Sequence, residues 1–598
     1  MDTGTLSIKK IFGQERRLIV PLFQRPYVWK REEQWEPLWE DIRKVAEQPT
    51  KNEHSRPHFL GAIVLDQMRN PMGHLETRLL VDGQQRLTTI QLFLEALCDL
   101  CQSTGIEKYH KAMLRLTRND DPLSEDEDET FKVWPTNVDQ DHFRRVMNAG
   151  SPEDLRKSYG VKKNAALIGH PLADAYLFFY EAIGMWLGPQ SDGFSDRLDA
   201  LYNAVREQIR MVVIDLDKED DAQVIFETLN ARGTPLLPSD LVKNYLFHQA
   251  RLAEENIDAL YKQYWQPFDE PEEFKYWRSE VGRGHARRAR IDVFLQHYLV
   301  LKKGEDAGVA HLYATFREYA ASDAAGGVKD LMASIREYAE IYRRFDGLPA
   351  ETREAIFFDR LGSMELTTAY PFLLELFARF GEDEEAVRAV LVDIESWLVR
   401  RMICQLNTRG YNRFFIELLA ALPGKAAGLA KRVQKILLSS DAESTRWPDD
   451  REFGNAWQDL PHYRVLVRAR VRMLLEALER ELHSDKSEKL HFGEKLTIEH
   501  LMPQVWQINW PLPNGAGAEA EAVRERMVHN IGNLTLLTNS LNPSVSNGAW
   551  SQKLPAVLEH SGLNLNRKLQ KETQWDEDRI KTRSLALFDV ACRIWPRL

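Results

Sequence analysis

Residues 1–250 alternate short strand-like runs with helix-like segments, and this alternation restricts the N-terminal part of the chain to an α/β unit. HFLGAIVLDQ (58–67) and RLLVD (78–82) read as strands. TTIQLFLEALCDL (88–100) predicts a helix, with Ile90, Leu92, Phe93, Leu97 and Leu100 near the 3.6-residue period. RMVVID (210–215) is another buried strand, and DAQVIFETLN (221–230) is the helix expected after it. Residues 165–208 read as a helical insertion. TRNDDPLSEDEDET (117–130) is an acidic, turn-rich stretch and predicts a solvated loop.

Further on the pattern changes. LMASIREYAEIYRRF (331–345) and EEAVRAVLVDIESWLVRRMICQL (384–406) have amphipathic helical spacing. From about residue 440 onward, tryptophans, asparagines and short apolar runs are broken by Pro and Gly. The expected organisation is therefore α+β and multidomain: an α/β domain over 1–250, a helical coupling domain over 251–440, and a third domain over 441–598. No internal repeat is evident.

Composition excludes some classes. The 598 residues are 43% hydrophobic and 28% charged, so the chain is neither disordered nor fibrous. Four cysteines are too few for a disulfide framework. Cys98 and Cys101 form a CxxC inside an apolar run, which reads as a buried helix face rather than a zinc site. The start MDTGTLSIKKIFGQERR carries charge where a secretory signal has an apolar core. FLGAIVL is far shorter than the ~20 residues of a membrane helix. A cytoplasmic protein with no membrane partner is expected. The net charge of −11 at first argues against a nucleic-acid partner.

The stretch LTIEHLMPQ (496–504) reads as a short strand ending in Glu499–His500 and closed by Pro503. In HNIGNLTLLTNSLNPSVSNGAWSQKL (529–554), NLTLL is a second strand, and a helix start is expected from Asn542. This order suits phosphodiester hydrolysis. A histidine of ordinary pKa can activate water. A divalent ion carries the charge that develops on phosphate. Carboxylate and amide oxygens suit Mg²⁺, so Glu499 and Asn542 are the candidate ligands. Asn533 is placed to brace the loop that aims His500. No acidic residue lies between Glu525 and Glu559, which suits an approaching phosphate, and Lys553 on the expected helix is a candidate DNA contact. His529 and His560 read as solvent or cap residues.

Three N-terminal segments are polar beyond what a fold needs. VPLFQRPYVWK (20–30) holds Gln24 and Arg25, with Tyr27 and Trp29 as candidate stacking surfaces for a base or modified group. LLVDGQQRLTT (79–89) runs from a strand through Asp82–Gly83 to Gln84, Gln85 and Arg86 at a helix N-terminus, where free N–H groups attract anions. FETLNARGTPL (226–236) adds Asn230 and Arg232. Converging, they build a phosphate or nucleotide pocket. Singly, each has a plainer explanation as a turn, a surface residue or a helix cap. WRSEVGRGHARRAR (277–290) is a basic cluster in which Arg278, Arg283, Arg287, Arg288 and Arg290 are candidate phosphate contacts. No Walker A pattern occurs. VIDLDKEDD (213–221) reads as an acidic turn after a buried strand, not as a PD-(D/E)xK nuclease motif.

EHLMPQ, then GNLTLL, then N-x4-N before a helix resembles the ββα-metal (HNH) nucleases. More narrowly it resembles the C-terminal domain of GmrSD-type restriction endonucleases, over roughly 390–590 with VRRMICQLNTRGYNRFF as a helical lead-in. QR-x-Y-x-W, DGQQR and F-x3-N-x-RG resemble that family's N-terminal domain, which is similar to the ParB/sulfiredoxin fold. The resemblance implies that His500 is the general base, that Glu499 and Asn542 hold Mg²⁺ or Mn²⁺, that Asn533 braces the loop, and that Asn547 assists. It implies an NTP, GTP or ATP, at Gln24, Arg25, Asp82, Gly83, Gln84, Gln85, Arg86, Asn230 and Arg232. The implied function is NTP-regulated, modification-dependent (type IV) restriction of double-stranded phage DNA, by cutting or nicking. A homodimer is left open. The same motifs would serve a phosphorothioate-sensing nicking nuclease, or a nucleotide-switched DNA-binding regulator with an inactive nuclease domain. On this basis the charge of −11 hides local patches, since acid gathers in stretches such as 117–130 and is absent from 526–558.

Overall fold

The computed structural model describes residues 2–597 apart from 22–23, 49–56, 68–74, 121–126, 164, 192, 217–236, 283–286, 307, 309–310, 484–495, 514–516 and 539–547. It forms two compact units. The first comprises Met1–Asp292 and Phe316–Met332, the second Val293–Thr315 and Ala333–Leu598.

The first unit is built on a mixed six-stranded sheet. Its strands are β1 (Asp2–Ser7), β2 (Arg16–Ile19), β3 (His58–Gln67), β4 (Glu76–Asp82), β5 (Val133–Trp134) and β6 (Ile209–Leu216). The spatial order is β1-β6-β3-β4-β2-β5. β6 runs parallel to β3, β4 antiparallel to β3, and β2 parallel to β4. The runs at 58–67, 78–82 and 210–215 are thus strands, as their β-branched, apolar character requires. The 221–230 segment, expected as a helix, lies outside the described residues.

β4 passes through Gly83 into the helix Gln84–Ser103. Gly83 has φ of +93°, and a Cβ there would sit 2.6 Å from Ile63 Cγ2, so only glycine fits the turn. The helix is not amphipathic but buried on nearly every side, from Gln85 to Cys101. Its charged groups are therefore paired inside the fold. Glu95 holds Arg118 at 2.8 Å, and Asp99 accepts from Tyr176 at 2.6 Å. Cys98 and Cys101 lie on this buried surface as free thiols, and burial pushes Cys101 up to about 12. Phe93 meets Phe179 of the helix Pro171–Leu187 edge-on at 5.4 Å. A two-stranded ribbon of β7 (Glu280–Val281) and β8 (Arg288–Ala289) also belongs to this unit.

The second unit is mainly helical and, among its described residues, carries a short antiparallel strand pair. In the helix Glu384–Ile403, Arg400 and Arg401 are fully buried. Arg401 donates to the carbonyls of Glu443, Ser444 and Arg446, and Arg400 to those of Pro448 and Trp595. These guanidinium groups tie irregular backbone to the helix. The pair sets β9 (Thr497–His500) antiparallel to β10 (Leu534–Leu537), His500 opposite Leu534 and Glu499 opposite Thr535. Helix Ala518–Val528 lies in the connection, and helix Trp550–His560 follows. Val557 packs that last helix on Leu537 of β10. The helix expected to start at Asn542 is described only from Trp550.

Candidate active site

The end of β9 brings the polar residues together. His500 is 5% exposed, and its Nε2 has no hydrogen-bond partner among the described residues. Burial, with smaller contributions from His529, Lys553 and Arg468, pushes its imidazole down to about 3. The ring is therefore neutral near pH 7 with its Nε2 lone pair unengaged, and while it stays buried it is a weaker base than the histidine of ordinary pKa expected from the sequence. Tyr463 meets it edge-on at 4.3 Å and His529 at 5.4 Å. Arg468 stacks over Tyr463, 3.3 Å from the ring centre.

Asn533 acts on this strand end through backbone. It is fully buried at the end of the short turn Ile531–Asn533. Its Oδ1 accepts from the Met502 N–H at 2.8 Å and from Trp575 Nε1 at 2.9 Å. Its Nδ2 donates to the Met502 and Val528 carbonyls, both at 2.8 Å. The neighbouring residues are fixed as firmly. Asn530 donates to the Gln458 carbonyl at 2.9 Å, and His462 Nδ1 accepts from the Ile531 N–H at 3.2 Å. A Cβ at Gly532 would lie 2.2 Å from the Ile580 carbonyl oxygen, so the glycine of GNLTLL permits close approach of the helix Glu577–Ile594.

Two expectations need correction. Lys553 is 1% exposed and is not a surface contact for DNA. Its ammonium donates to Glu499 Oε1 and, at 2.5 Å, to the His500 carbonyl. It faces inward because the buried Glu499 carboxylate needs a counter-charge. His529 is the C-cap of helix Ala518–Val528, one of the two readings the sequence offered, but it is 4% exposed and lies against His500 rather than in solvent. His560 is exposed. Tyr463, Arg468, His462 and Trp575 also build this site. They come from segments 30 or more residues away in the chain, and no local motif marks them.

Asn542 and Asn547 lie outside the described residues. Among the described residues, no group of three His, Cys, Asp or Glu side chains could hold a metal ion. The described donor for a cation is the Glu499 carboxylate, which the Lys553 ammonium already occupies, so a divalent ion that takes one or two carboxylates would have to displace that ammonium.

In the first unit, the segment after β2 is fastened to the start of the long helix. Gln24 Nε2 donates to the carbonyls of Leu80 and Val81 at 2.9 Å each. Gln85 accepts from the Val28 N–H at 2.9 Å and donates to the Pro26 carbonyl at 3.0 Å. Arg86 donates to the Ala62 carbonyl at 2.5 Å and lies 3.6 Å from Asp82. Its guanidinium rests over Gly61, where a Cβ would meet Nη1 at 2.9 Å. Arg25 is half-buried near Asp240, Asp82 and Arg278, and burial lowers its pKa. Gln24, Arg25, Asp82, Gly83, Gln84, Gln85 and Arg86 thus gather where β4 meets the helix, while Asn230 and Arg232 lie outside the described residues.

The proposed DNA contacts separate into groups. Tyr27 is 5% exposed, and its hydroxyl bonds Thr89 at 2.7 Å and accepts from Trp35 at 2.9 Å. Its ring is core, out of reach of a stacking base, because the hydroxyl finds both partners inside the fold. Trp29 packs partly buried against the same core. Arg278 pairs with Asp240, and Arg290 lies over Tyr276 at 4.4 Å. Arg287 is exposed, 3.8 Å from Glu280, and Arg288 pairs within the β7–β8 ribbon. Arg283 lies outside the described residues.

Two family descriptions match this chain. "GmrSD restriction endonuclease, N-terminal domain" matches residues 8–247, and "GmrSD restriction endonucleases, C-terminal domain" matches residues 447–590. Both polar sites fall within these ranges, and the arginine cluster at 278–290 falls outside them. No curated protein matches the chain.

Proposed function

The chain belongs to the GmrSD restriction endonuclease family, and on that premise we propose that it is a modification-dependent, type IV restriction endonuclease of phage defence, cutting double-stranded DNA under nucleotide control. Membership itself makes it a DNA nuclease. The observation that carries the catalytic assignment is the unpartnered Nε2 of a neutral, buried His500 at a strand end. In this reading Nε2 takes the proton of the attacking water. Asn533 keeps the imidazole aimed by clamping Met502, two residues on. Tyr463 and His529 wall the ring and limit its rotation. Glu499, with Asn542, would hold Mg²⁺ or Mn²⁺, which would supply positive charge for the phosphate in the transition state.

At the start of the helix Gln84–Ser103, the free N–H groups with Arg86 and Arg25 are the proposed seat of the NTP phosphates, GTP or ATP. The N–H of Leu87 is already spent on Gly83, so the free donors are those of Gln84, Gln85 and Arg86. Asn230 and Arg232 complete the proposed set.

A cleavage assay on modified phage DNA with Mg²⁺ or Mn²⁺ tests the nuclease reading. His500→Ala is expected to abolish cutting while retaining DNA binding and fold. Full cutting by that variant removes the assignment.

A further inference from the structure

Lys553 is among the most deeply buried cations of the second unit, and the helix that carries it has other anchors. That helix, Trp550–His560, is fastened at other points. Trp550 stacks on Trp575 at 5.0 Å and donates to the Glu572 carbonyl at 3.0 Å. Val557 packs on Leu537. A methionine would fill a similar volume, and a buried ion pair seldom stabilises a fold better than apolar side chains of the same size. The placement of the ammonium is therefore better explained by what it touches.

It touches the two groups that set the site. One donor goes to Glu499 Oε1 and another to the carbonyl of His500 at 2.5 Å. The Glu499 side chain is 8% exposed and that of Lys553 is fully buried, so water screens the pair little. A divalent ion on the same carboxylate would stand within a few ångströms of the ammonium. Two like charges that close, in a site shielded from water, repel strongly.

Building on the assignment of Glu499 as a metal-holding residue, we propose that Lys553 is the resident counter-ion of the nuclease site. Its ammonium occupies the Glu499 carboxylate and steadies the His500 carbonyl while no divalent cation is bound, and it withdraws from the carboxylate when one binds. Lys553 is a positioning residue that competes with the metal. It is not a DNA contact.

Mn²⁺ binding to the full-length protein near pH 8, followed by electron paramagnetic resonance of the free ion, tests this with wild type, Lys553→Met, Lys553→Gln and Glu499→Gln. Lys553→Met and Lys553→Gln are expected to bind roughly tenfold more tightly than wild type, since the competing charge is gone. Glu499→Gln is expected to lose the site. If Glu499→Gln loses binding but both Lys553 variants bind as wild type or more weakly, the counter-ion role is overturned and the metal reading stands. If Glu499→Gln binds as wild type does, the metal reading falls and takes this one with it. Should the Lys553 variants fail to fold, wild type alone decides. Acetic anhydride labelling of Lys553, read by peptide mass spectrometry, should be low without metal and rise severalfold with saturating Mn²⁺. Labelling that ignores bound Mn²⁺ overturns the proposal.

Discussion

The side-chain amide of Asn533 clasps the backbone of Met502 on both sides, accepting from its N–H and donating to its carbonyl at 2.8 Å each. The Leu501 N–H also donates to the Asn533 carbonyl, at 2.8 Å. A residue just before β10 thereby sets the path of the chain leaving β9, and with it the aim of His500. The same amide accepts from Trp575 and donates to Val528, so it joins four groups with no exposure to water.

Asn533→Ala leaves those four buried groups without a partner. At about 1–3 kcal/mol for each unsatisfied group, and with partial relaxation, the expected loss of stability is about 3–5 kcal/mol. DNA cleavage should fall at least about 100-fold, because a loosened loop no longer holds His500 in a reactive geometry. Urea denaturation and a plasmid-cleavage assay measure the two effects. Wild-type values in both would show that the clasp does not matter.

Acid should weaken the second unit through His462. This side chain is fully buried, accepts from the Ile531 N–H through Nδ1, and burial pushes it down to about 3. The sign follows from linkage. Between the unfolded value of about 6.5 and the folded value of about 3, the unfolded chain binds more protons, so stability falls as pH falls through that window. From pH 7 to pH 5 this one group accounts for about 2 kcal/mol. Denaturant midpoints at the two pH values should show the loss. His462→Gln, which keeps a hydrogen-bond acceptor but does not titrate, should show a correspondingly smaller one.

Two glycines should behave differently. Gly532→Ala forces a Cβ to within 2.2 Å of the Ile580 carbonyl oxygen, which is backbone and cannot turn aside. Overpacking of about 1–3 kcal/mol or more is expected, along with displacement of Asn533. Gly517→Ala, at φ of −82° with nothing within 4 Å of the new Cβ, should cost clearly less, no more than the preference for glycine over alanine at a helix N-cap. Thermal unfolding of the pair checks the contrast, and equal midpoints would count against the close approach.

Arg86→Ala should reduce NTP binding by at least about tenfold, the scale of a lost charge-assisted contact to phosphate. Arg86→Lys should recover only part of it, since a point charge replaces a planar fork. Fluorescent nucleotide titration measures both. Unchanged affinity in Arg86→Ala would remove the N-terminal assignment.

Much of the framework is legible in order along the chain. Apolar, β-branched runs marked β3, β4 and β6, and a 3.6-residue period marked the helix Gln84–Ser103, because each of these depends on neighbours in sequence. The pattern was less informative about burial. The helix Gln84–Ser103 reads as having an apolar face, but it is enclosed on almost all sides, with Glu95 and Asp99 satisfied by Arg118 and Tyr176 from other helices or loops. In the candidate site, Glu499, His500 and Asn533 stand out as residue types in a motif. Tyr463, Arg468 and His529 do not: His529 is a helix cap, and nothing local shows that a cap histidine also lies beside an imidazole.

By itself, then, the sequence marked β3, β4, β6, the β9–β10 pair, the helix Gln84–Ser103 and the turn at Gly83, together with residue types suited to acid–base and phosphate chemistry. Only the tertiary structure decided how those groups are used. It turned Tyr27 into the core on Thr89 and Trp35, carried Lys553 from an expected surface onto Glu499, and set His529 against His500. The physical reason is range. Backbone periodicity and turn chemistry act over a few residues, whereas the Lys553–Glu499 contact joins positions 54 apart and the Asn533–Met502 clasp positions 31 apart. Such pairings are selected by whichever packing leaves the fewest buried polar groups without partners.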